Sequence, residues 1–266
     1  MKTPAAFLVL LLATASLARA ANPTLTSAQV TLIIKDVKTI DPGKAGRDAV
    51  LKETVQGDQN VRTGIESRTE LLFNDRTITR LGANTRFSFS EGTRNMSLDS
   101  GVMLLQVPKG IGGAKIETSA VTAGITGTTI MLEQSKKFTK LIVLEGDCWL
   151  IGKLANGKFT RRIVAHAGQE IIFPVGGPNM PPPVFINLKL LEATSLLLNG
   201  RWGVRLDMRP ILLAANGQGN NFVPLNGNNI PGGLVTDTTG KLPPTQSIPI
   251  ATPPPQPTPP PRNPIR

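Results

Sequence analysis

Short apolar runs separated by single glycines fill the chain from Gln56 to Phe173, and almost no helical periodicity interrupts them. Residues 102–107 and 140–144 are examples: each has the length of a strand and is rich in Val, Ile and Leu. Repeated short strands with turn glycines are typical of all-β sandwiches, barrels and solenoids. We therefore predict an all-β fold, an elongated β-solenoid or twisted β-sandwich of short strands.

Alternation inside this region indicates which face of a strand is buried. Along Thr85–Ser90, Phe87 and Phe89 fall on one face while Arg86 and Ser88 fall on the other. Strict alternation predicts one buried and one solvated face. Residues 29–37 carry apolar side chains on both faces, which predicts a single strand buried on both sides.

The pattern changes after Pro174. Asn187–Leu198 has approximate helical spacing of its leucines, with Asn187 as the expected N-cap and Asn199-Gly200 as the expected end. We expect one or two short helices that pack on the β core. From Pro231 the chain is proline-rich, which predicts a disordered, extended tail.

These patterns divide the chain into five segments. They are a signal peptide, an N-terminal strand and connector, a β domain, a linker with short helices, and an Asn/Gly-rich then Pro-rich tail, at residues 1–20, 21–53, 54–175, 176–215 and 216–266.

The N-terminal segment predicts export. Lys2 precedes an apolar run, Ala5–Leu17, and Ala18-Arg19-Ala20 supplies a small-x-small cleavage pattern. The alternative is a membrane anchor, but the run is shorter than the roughly 20 apolar residues that a span needs. We expect an exported protein, in the periplasm or at the surface of a bacterium, with no transmembrane segment after cleavage.

The charge suggests one class of ligand. The whole chain carries a formal net charge of +11 and only 4% aromatic residues, so stacking on nucleic acid or sugars is disfavoured. A cluster of five cations forms a candidate polyanion patch at Lys136, Lys137, Lys140, Arg161 and Arg162. A polyanion- or glycan-binding surface protein is therefore the alternative function, and nucleic acid is not an expected partner.

No catalytic constellation is evident in the sequence. Cys148 is the only cysteine and reads as a small buried hydrophobe, and His166, the only histidine, has no nucleophile and acid at a recognisable spacing. Glu145 and Asp147 flank Gly146, where a carboxylate that accepts backbone N–H bonds is the simpler interpretation. We predict no enzyme activity, no cofactor and no metal site.

Several short motifs occur in the order found in one known family. They are Val61-Arg-Thr-Gly64, Ser67-Arg68, Leu71-Leu-Phe73 with Asp75, Leu81-Gly82, Phe87, Leu98-Asp-Ser-Gly101, Ile116-Glu-Thr118, Gly127-Thr128, Val143-Leu-Glu-Gly146 and Ala167-Gly168-Gln169. In this order they resemble the FecR-type extracytoplasmic domain, the sensor module of iron-dicitrate transport regulators. The resemblance covers about residues 54–175.

The resemblance implies a set of structural turn residues. They are Gly64, Gly101, Gly127, Thr128, Glu145, Gly146 and Gly168. One position departs from the family pattern: Arg76 stands where the family usually has Gly after Asp, and we expect Asn74 to take over the tight turn.

The resemblance also implies a function based on protein binding. The classical regulators carry a cytoplasmic anti-sigma segment and a transmembrane helix before this domain, whereas only about 53 residues precede the match here. We therefore expect a free-standing exported member that does not relay a signal across the membrane by itself. The leading hypothesis is a non-enzymatic scaffold or sensing module that binds an envelope protein through a strand edge or a β face.

Overall fold

The computed structural model describes residues 24–218, which form strands and three short helices. In chain order the strands are β1 (Ser27–Ile34), β2 (Val37–Ile40), β3 (Arg47–Asp48), β4 (Thr54–Gln56), β5 (Asn60–Thr63), β6 (Arg68–Phe73), β7 (Ile78–Leu81), β8 (Arg86–Phe89), β9 (Asn95–Gln106), β10 (Gly113–Glu117), β11 (Val121–Thr126), β12 (Thr129–Gln134), β13 (Phe138–Glu145), β14 (Asp147–Gly152), β15 (Ile163–His166), β16 (Gln169–Pro174) and β17 (Val184–Phe185). The helices are α1 (Leu188–Thr194), α2 (Leu196–Asn199) and α3 (Arg209–Gly217).

The strands lie in two layers that share one long strand. The first layer has the order β4-β1-β6-β7-β9-β12-β13-β16-β17, and the second has the order β3-β2-β5-β8-β9-β10-β11-β14-β15. The β9 strand pairs with β8 up to Ser100 and with β12 from Gly101, so it passes from the second layer into the first. The all-β prediction is confirmed, and the pairing is that of a two-layer sandwich.

An apolar core fills the space between the layers. Its largest fully buried members include Phe87 of the second layer and Phe173 of the first. Phe73 and Phe89 meet edge to face, with ring centroids 4.9 Å apart. The alternation in residues 85–90 therefore identifies the buried face correctly.

The predicted first strand is in fact two strands in different layers. Lys35 has a φ of 60°, so β1 ends at Ile34 and β2 starts at Val37. Asp36 donates its backbone N–H to Ser67 Oγ at 3.0 Å, which holds the crossing. The prediction of a continuous strand over residues 29–37 was wrong because apolar side chains on both sides of the crossing enter the same core.

The tight turn after β6 also differs from expectation. Arg76 itself adopts a φ of 69°, so Asn74 does not replace the family glycine. Asp75 accepts hydrogen bonds from the backbone N–H and the hydroxyl of Thr77, at 2.8 and 2.9 Å, and these bonds fix the loop around the arginine. A side chain in this region of φ is uncommon, and here local bonding holds it.

The C-terminal segment of the described residues contains three helices rather than one or two. Asn187 caps α1 as predicted, because its side chain accepts the backbone N–H of Leu190 at 2.9 Å. Ser195 is extended and separates α1 from α2, and Pro210 lies in the first turn of α3.

These helices cover the outer face of the first layer. Outward-facing Ile78, Leu104, Ile142 and Leu144 form a second apolar cluster with residues of the segment, which we call the outer cluster. The segment side of the outer cluster is Leu188, Leu197, Leu198, Leu206, Ile211 and Ala215.

A buried ion pair lies within this outer interface. Arg80 and Glu70 are 3% and 0% exposed, and Arg80 Nε lies 2.9 Å from Glu70 Oε2. Arg80 also donates to the backbone carbonyls of Leu197 and Val204, at 2.7 and 2.9 Å, and its guanidinium stacks on Trp202. The ion pair therefore fixes the position of the C-terminal segment on the first layer.

Two predictions concern residues outside the described part of the chain. The signal peptide at residues 1–20 and almost all of the tail at 216–266 lie there. Within residues 24–218, no helix is both long enough and apolar enough to cross a bilayer.

Candidate partner-binding site

The turn glycines occupy the sites where the chain reverses or changes layer. Gly101, Gly127, Gly146 and Gly168 have φ values of 89°, 61°, 78° and 83°, a region that side chains disfavour. At Gly64 a Cβ would lie 2.5 Å from Asp36 Oδ2, so the Asp36 side chain would have to shift to admit one.

Two of these turns repeat one arrangement, a buried threonine beneath a glycine. Thr128 Oγ1 lies 3.1 Å from the carbonyl oxygens of both Thr126 and Asp147. A Cβ on Gly146 would lie 2.9 Å from that hydroxyl, and a Cβ on Gly101 would lie 2.3 Å from Thr85 Oγ1. The glycine keeps the chain close enough for the threonine to satisfy backbone carbonyls at the crossing.

Glu145 is nearly buried, but it does not hold a turn through backbone amides as expected. Its carboxylate lies 2.9 Å from Lys109 Nζ and accepts a long hydrogen bond of 3.4 Å from Thr129 Oγ1. The hydrogen bond from Lys109 raises the pKa of that lysine above its ordinary value. Side-chain partners therefore replace the predicted backbone bonds.

An open groove lies beside these turns, on the outer face of the second layer. Its volume is about 510 Å³. The lining comes from the loop before β10, from β11, from β14 and from the start of β15: Lys109, Gly110, Gly124, Thr126, Gly127, Glu145, Gly146, Asp147, Trp149, Arg162 and Val164. We call it the Trp149 groove.

Trp149 lies flat at the base of the groove. A Cβ on Gly124, its partner on β11, would fall 2.0 Å from the indole ring, so the bare glycine backbone is what makes room for the ring. The guanidinium carbon of Arg162 lies 4.6 Å from the ring centroid on the solvent side. The result is a stack of backbone, indole and guanidinium held by cation–π attraction.

The acidic groups of the groove are paired. Glu145 binds Lys109, and Asp147 Oδ1 lies 2.7 Å from Nδ1 of His166 across β14 and β15. Val164 is 43% exposed beside them. The arrangement favours recognition by shape, aromatic contact and backbone bonds over attraction of a net charge.

Part of the chain matches a known family. Residues 59–148 match the family model described as FecR protein. This stretch is similar to the FecR family. The match spans about a third of the chain and indicates a regulatory or sensing module rather than an enzyme. Trp149 directly follows the matched residues, whereas Arg162 and Val164 lie beyond them in the chain.

Comparison with other proteins adds little beyond the family. No match was found among curated proteins. Two similar crystal structures are each described as a "putative anti-sigma factor" from Parabacteroides distasonis. One has 12% identity, covers 46% of this chain and 57% of that chain, and has a TM-score of 0.39. The other has 10% identity, covers 51% and 64%, and has a TM-score of 0.42. The chain therefore spans less than two thirds of either structure, and no argument about function rests on them.

The cysteine next to the groove does not contribute to it. Cys148 points between the layers, is fully buried, and has a pKa raised by burial to about 12. The interpretation of Cys148 as a buried hydrophobe is confirmed.

The five cations of the candidate polyanion patch do not converge on one surface. Lys136 and Lys137 lie in the turn between β12 and β13, and Lys140 faces outward from the first layer, 2.9 Å from Glu133. Arg161 and Arg162 precede β15 in the second layer, where Arg162 stacks on Trp149. Lys140 and Arg162 therefore face outward from different layers.

The fold brings together His166 and Asp147, which the sequence pattern did not connect. Within residues 24–218, no hydroxyl or thiol side chain hydrogen-bonds to the His166 ring, and no group of three or more His, Cys, Asp or Glu side chains is arranged to hold a metal ion. The pair therefore has the geometry of an exposed hydrogen bond, without the nucleophile that a catalytic triad requires.

The sequence pattern did not reveal the role of Trp149, Arg162 and Gly124. The available signal was Gly124, because a glycine inside a strand marks a close approach. The sequence could not show that the approaching group is the indole of the neighbouring strand.

Proposed function

We propose that this protein is a non-enzymatic sensing or scaffold module of the cell envelope that binds a partner protein along β15 and the Trp149 groove. The observation that carries the proposal is the position of an exposed strand edge beside an aromatic groove. The family match supports the general class of function, and the groove beside an exposed strand edge supports the proposed location.

The edge strand offers backbone groups to a partner. β15 pairs only with β14, and at four residues it is the longest of the four edge strands in the described part of the sandwich. His166 donates its backbone N–H to Gln169 Oε1 at 2.8 Å, so this amide faces away from β14. Because the direction alternates along a strand, the amide and carbonyl of Val164 face the same free edge. A partner strand can bond there by β-augmentation.

The groove offers side-chain contacts to the same partner. Val164 lies on the outer face of the layer, Phe159 is 65% exposed just before β15, and Trp149 with Arg162 lies one strand further in. Aromatic residues and Arg contribute most strongly to protein interfaces. Backbone bonding would supply affinity, and the groove would select the partner.

Site-specific photo-crosslinking tests the proposal. A photoreactive amino acid at Val164 in the whole chain, expressed in an exporting bacterial host, should form one discrete crosslinked product that mass spectrometry identifies as a protein. The matched control is the same substitution at Val50, which is 60% exposed in the loop after β3. Trp149→Ala in the Val164 chain should reduce the product several-fold.

Two outcomes would contradict the proposal. One is equal crosslinking from Val164 and Val50, which would indicate random collision. The other is binding that falls steeply with salt, survives Trp149→Ala and is lost in Lys136→Gln/Lys137→Gln, which would favour the polyanion alternative.

A further inference from the structure

The solvent side of the C-terminal segment, residues 187–218, exposes leucines from each of its three helices. Leu190, Leu196 and Leu213 are 60%, 61% and 72% exposed, and Leu212 is 40% exposed. The opposite side of the same segment packs into the outer cluster on the first layer. The exposed leucines therefore lie outside the outer cluster, and we call them together the leucine surface.

Exposed cations lie on the same segment as the leucine surface. Trp202, Val204 and Leu206 pack into the outer cluster, whereas Arg201 and Arg205 are exposed to solvent. Lys189 and Arg209 are exposed at the starts of α1 and α3.

Few acids offset this charge. The segment holds four cations and two carboxylates, Glu192 and Asp207, and Asp207 pairs with Arg209 at 3.3 Å. Among residues 24–218, no acidic side chain forms an ion pair with Lys189, Arg201 or Arg205.

The segment is held so that the leucines cannot turn inward. Arg80 of the first layer donates hydrogen bonds to the backbone carbonyls of Leu197, Leu198 and Val204. Gly203 lies so close to the first layer that a Cβ would fall 2.3 Å from the carbonyl oxygen of Thr31. The outward arrangement of leucines and cations is thus a fixed property of the fold.

We propose that the leucine surface lies on an anionic phospholipid bilayer. Leucines on one face with Lys and Arg around them are the chemistry of interfacial segments, which bury apolar side chains at the headgroup boundary and pair cations with lipid phosphates. Charge complementarity selects this occupant: a second copy of the chain would place the unpaired cations of both copies against each other. The inference concerns a different surface from the Trp149 groove and stands apart from the proposed function.

Vesicle co-sedimentation tests the inference. The probe is the whole chain recovered after export, with its N-terminus read by intact mass, mixed with vesicles of phosphatidylglycerol and phosphatidylcholine or of phosphatidylcholine alone. We expect binding to the mixed vesicles and little to the neutral ones. Arg201→Gln/Arg205→Gln should weaken binding by roughly fivefold per cation. Leu190→Ser/Leu213→Ser should weaken it at least about tenfold.

Matched variants separate this surface from general charge and apolarity. Lys136→Gln/Lys137→Gln removes the same charge from an exposed turn of the first layer, and Leu51→Ser removes a leucine that is 52% exposed elsewhere. Both should bind like the unaltered protein. Melting curves check that every variant is folded.

Three results would overturn the inference. They are no binding of the unaltered protein to anionic vesicles, unchanged binding of the folded leucine double variant, and an equal loss in the Lys136/Lys137 variant. The last two would mean that diffuse positive charge, rather than the leucine surface, contacts the lipid.

Discussion

The two interfaces of the first layer differ in how they are specified. Its inner face meets the second layer through a core that contains the apolar partners Phe73, Phe89, Phe87 and Phe173. Its outer face meets the C-terminal segment through apolar residues and also through the buried Arg80–Glu70 pair. Strand pairing already sets the position of the inner interface. The short helices have no strand register, so polar bonds set the position of the outer interface.

A buried pair of this kind has a direct consequence for stability. Replacing a buried ion pair with apolar residues can be neutral, but removing one partner leaves an uncompensated charge. The polar bonds of the outer interface therefore define position more than they add stability. Four substitutions would test the difference between the inner and outer interfaces, and they are given from the largest expected effect on stability to the smallest.

Arg80→Met should produce the largest effect. It leaves Glu70 buried and charged and frees the carbonyls of Leu197 and Val204, so we expect a loss of about 3–5 kcal/mol. Chemical denaturation measures it. Arg80→Met/Glu70→Gln should recover part of the loss, because a Gln oxygen can still accept from Thr31 and Val204. A double variant no more stable than the single one would show that the charge of Glu70 is not the cause.

Gly146→Ala, in the turn between β13 and β14, should have the next largest effect. Its matched control is Gly157→Ala, since the two glycines have φ values of 78° and 79° and only Gly146 has a close neighbour. Both variants carry the strain of a side chain at positive φ, about 1–2 kcal/mol. Gly146→Ala should lose about 1–3 kcal/mol more because its Cβ meets the fixed Thr128 hydroxyl. Equal losses would mean that the contact with Thr128 yields freely.

The turn at Gly146 and the Arg80–Glu70 pair show how far the sequence can predict the fold. The turn at Gly146 could be predicted because turn glycines and strand alternation are local signals. The Arg80–Glu70 pair could not, because both residues read as ordinary polar positions on strands. Their partners at Leu197 and Val204 lie more than 100 residues away in the chain.

The candidate site shows the same limit. The sequence located the turns around the Trp149 groove, including Gly127 and Gly146. It did not locate the stack of Gly124, Trp149 and Arg162, which depends on the pairing of β11 with β14. Register between strands that are not adjacent in sequence is a tertiary property.

A smaller effect should come from Glu170, a second acid on the outer face of the first layer. Unlike Glu70, its carboxylate forms no hydrogen bond or ion pair with other residues in the range 24–218. Burial raises its pKa above the ordinary 4.5, opposed by Lys140 and reinforced by Glu133.

The raised pKa of Glu170 sets the sign of the pH dependence of stability. Because the pKa is higher in the folded protein, the free energy of unfolding falls as the pH rises from about 4.5 through the folded pKa. Above the folded pKa the full destabilisation by the buried, ionised Glu170 remains. Glu170→Gln should therefore have a higher melting temperature at pH 7, and the difference should shrink as the pH falls below 4.5. Glu91→Gln, at an exposed position, controls for loss of charge alone. A Glu170→Gln variant less stable at pH 7 would reveal a bonding role for the carboxylate.

His166→Gln should have the smallest effect, although the Asp147–His166 contact of 2.7 Å is shorter than the 2.9 Å contact of Arg80 with Glu70. The side chains of His166 and Asp147 are 62% and 67% exposed, so water replaces the lost partner. We expect an unchanged denaturation midpoint, measured beside Arg80→Met under the same conditions. A large loss would mean that burial does not govern the difference between the two pairs. If the midpoint is unchanged, the folded His166→Gln chain can be used to ask whether this end of the Trp149 groove contacts the partner crosslinked from Val164.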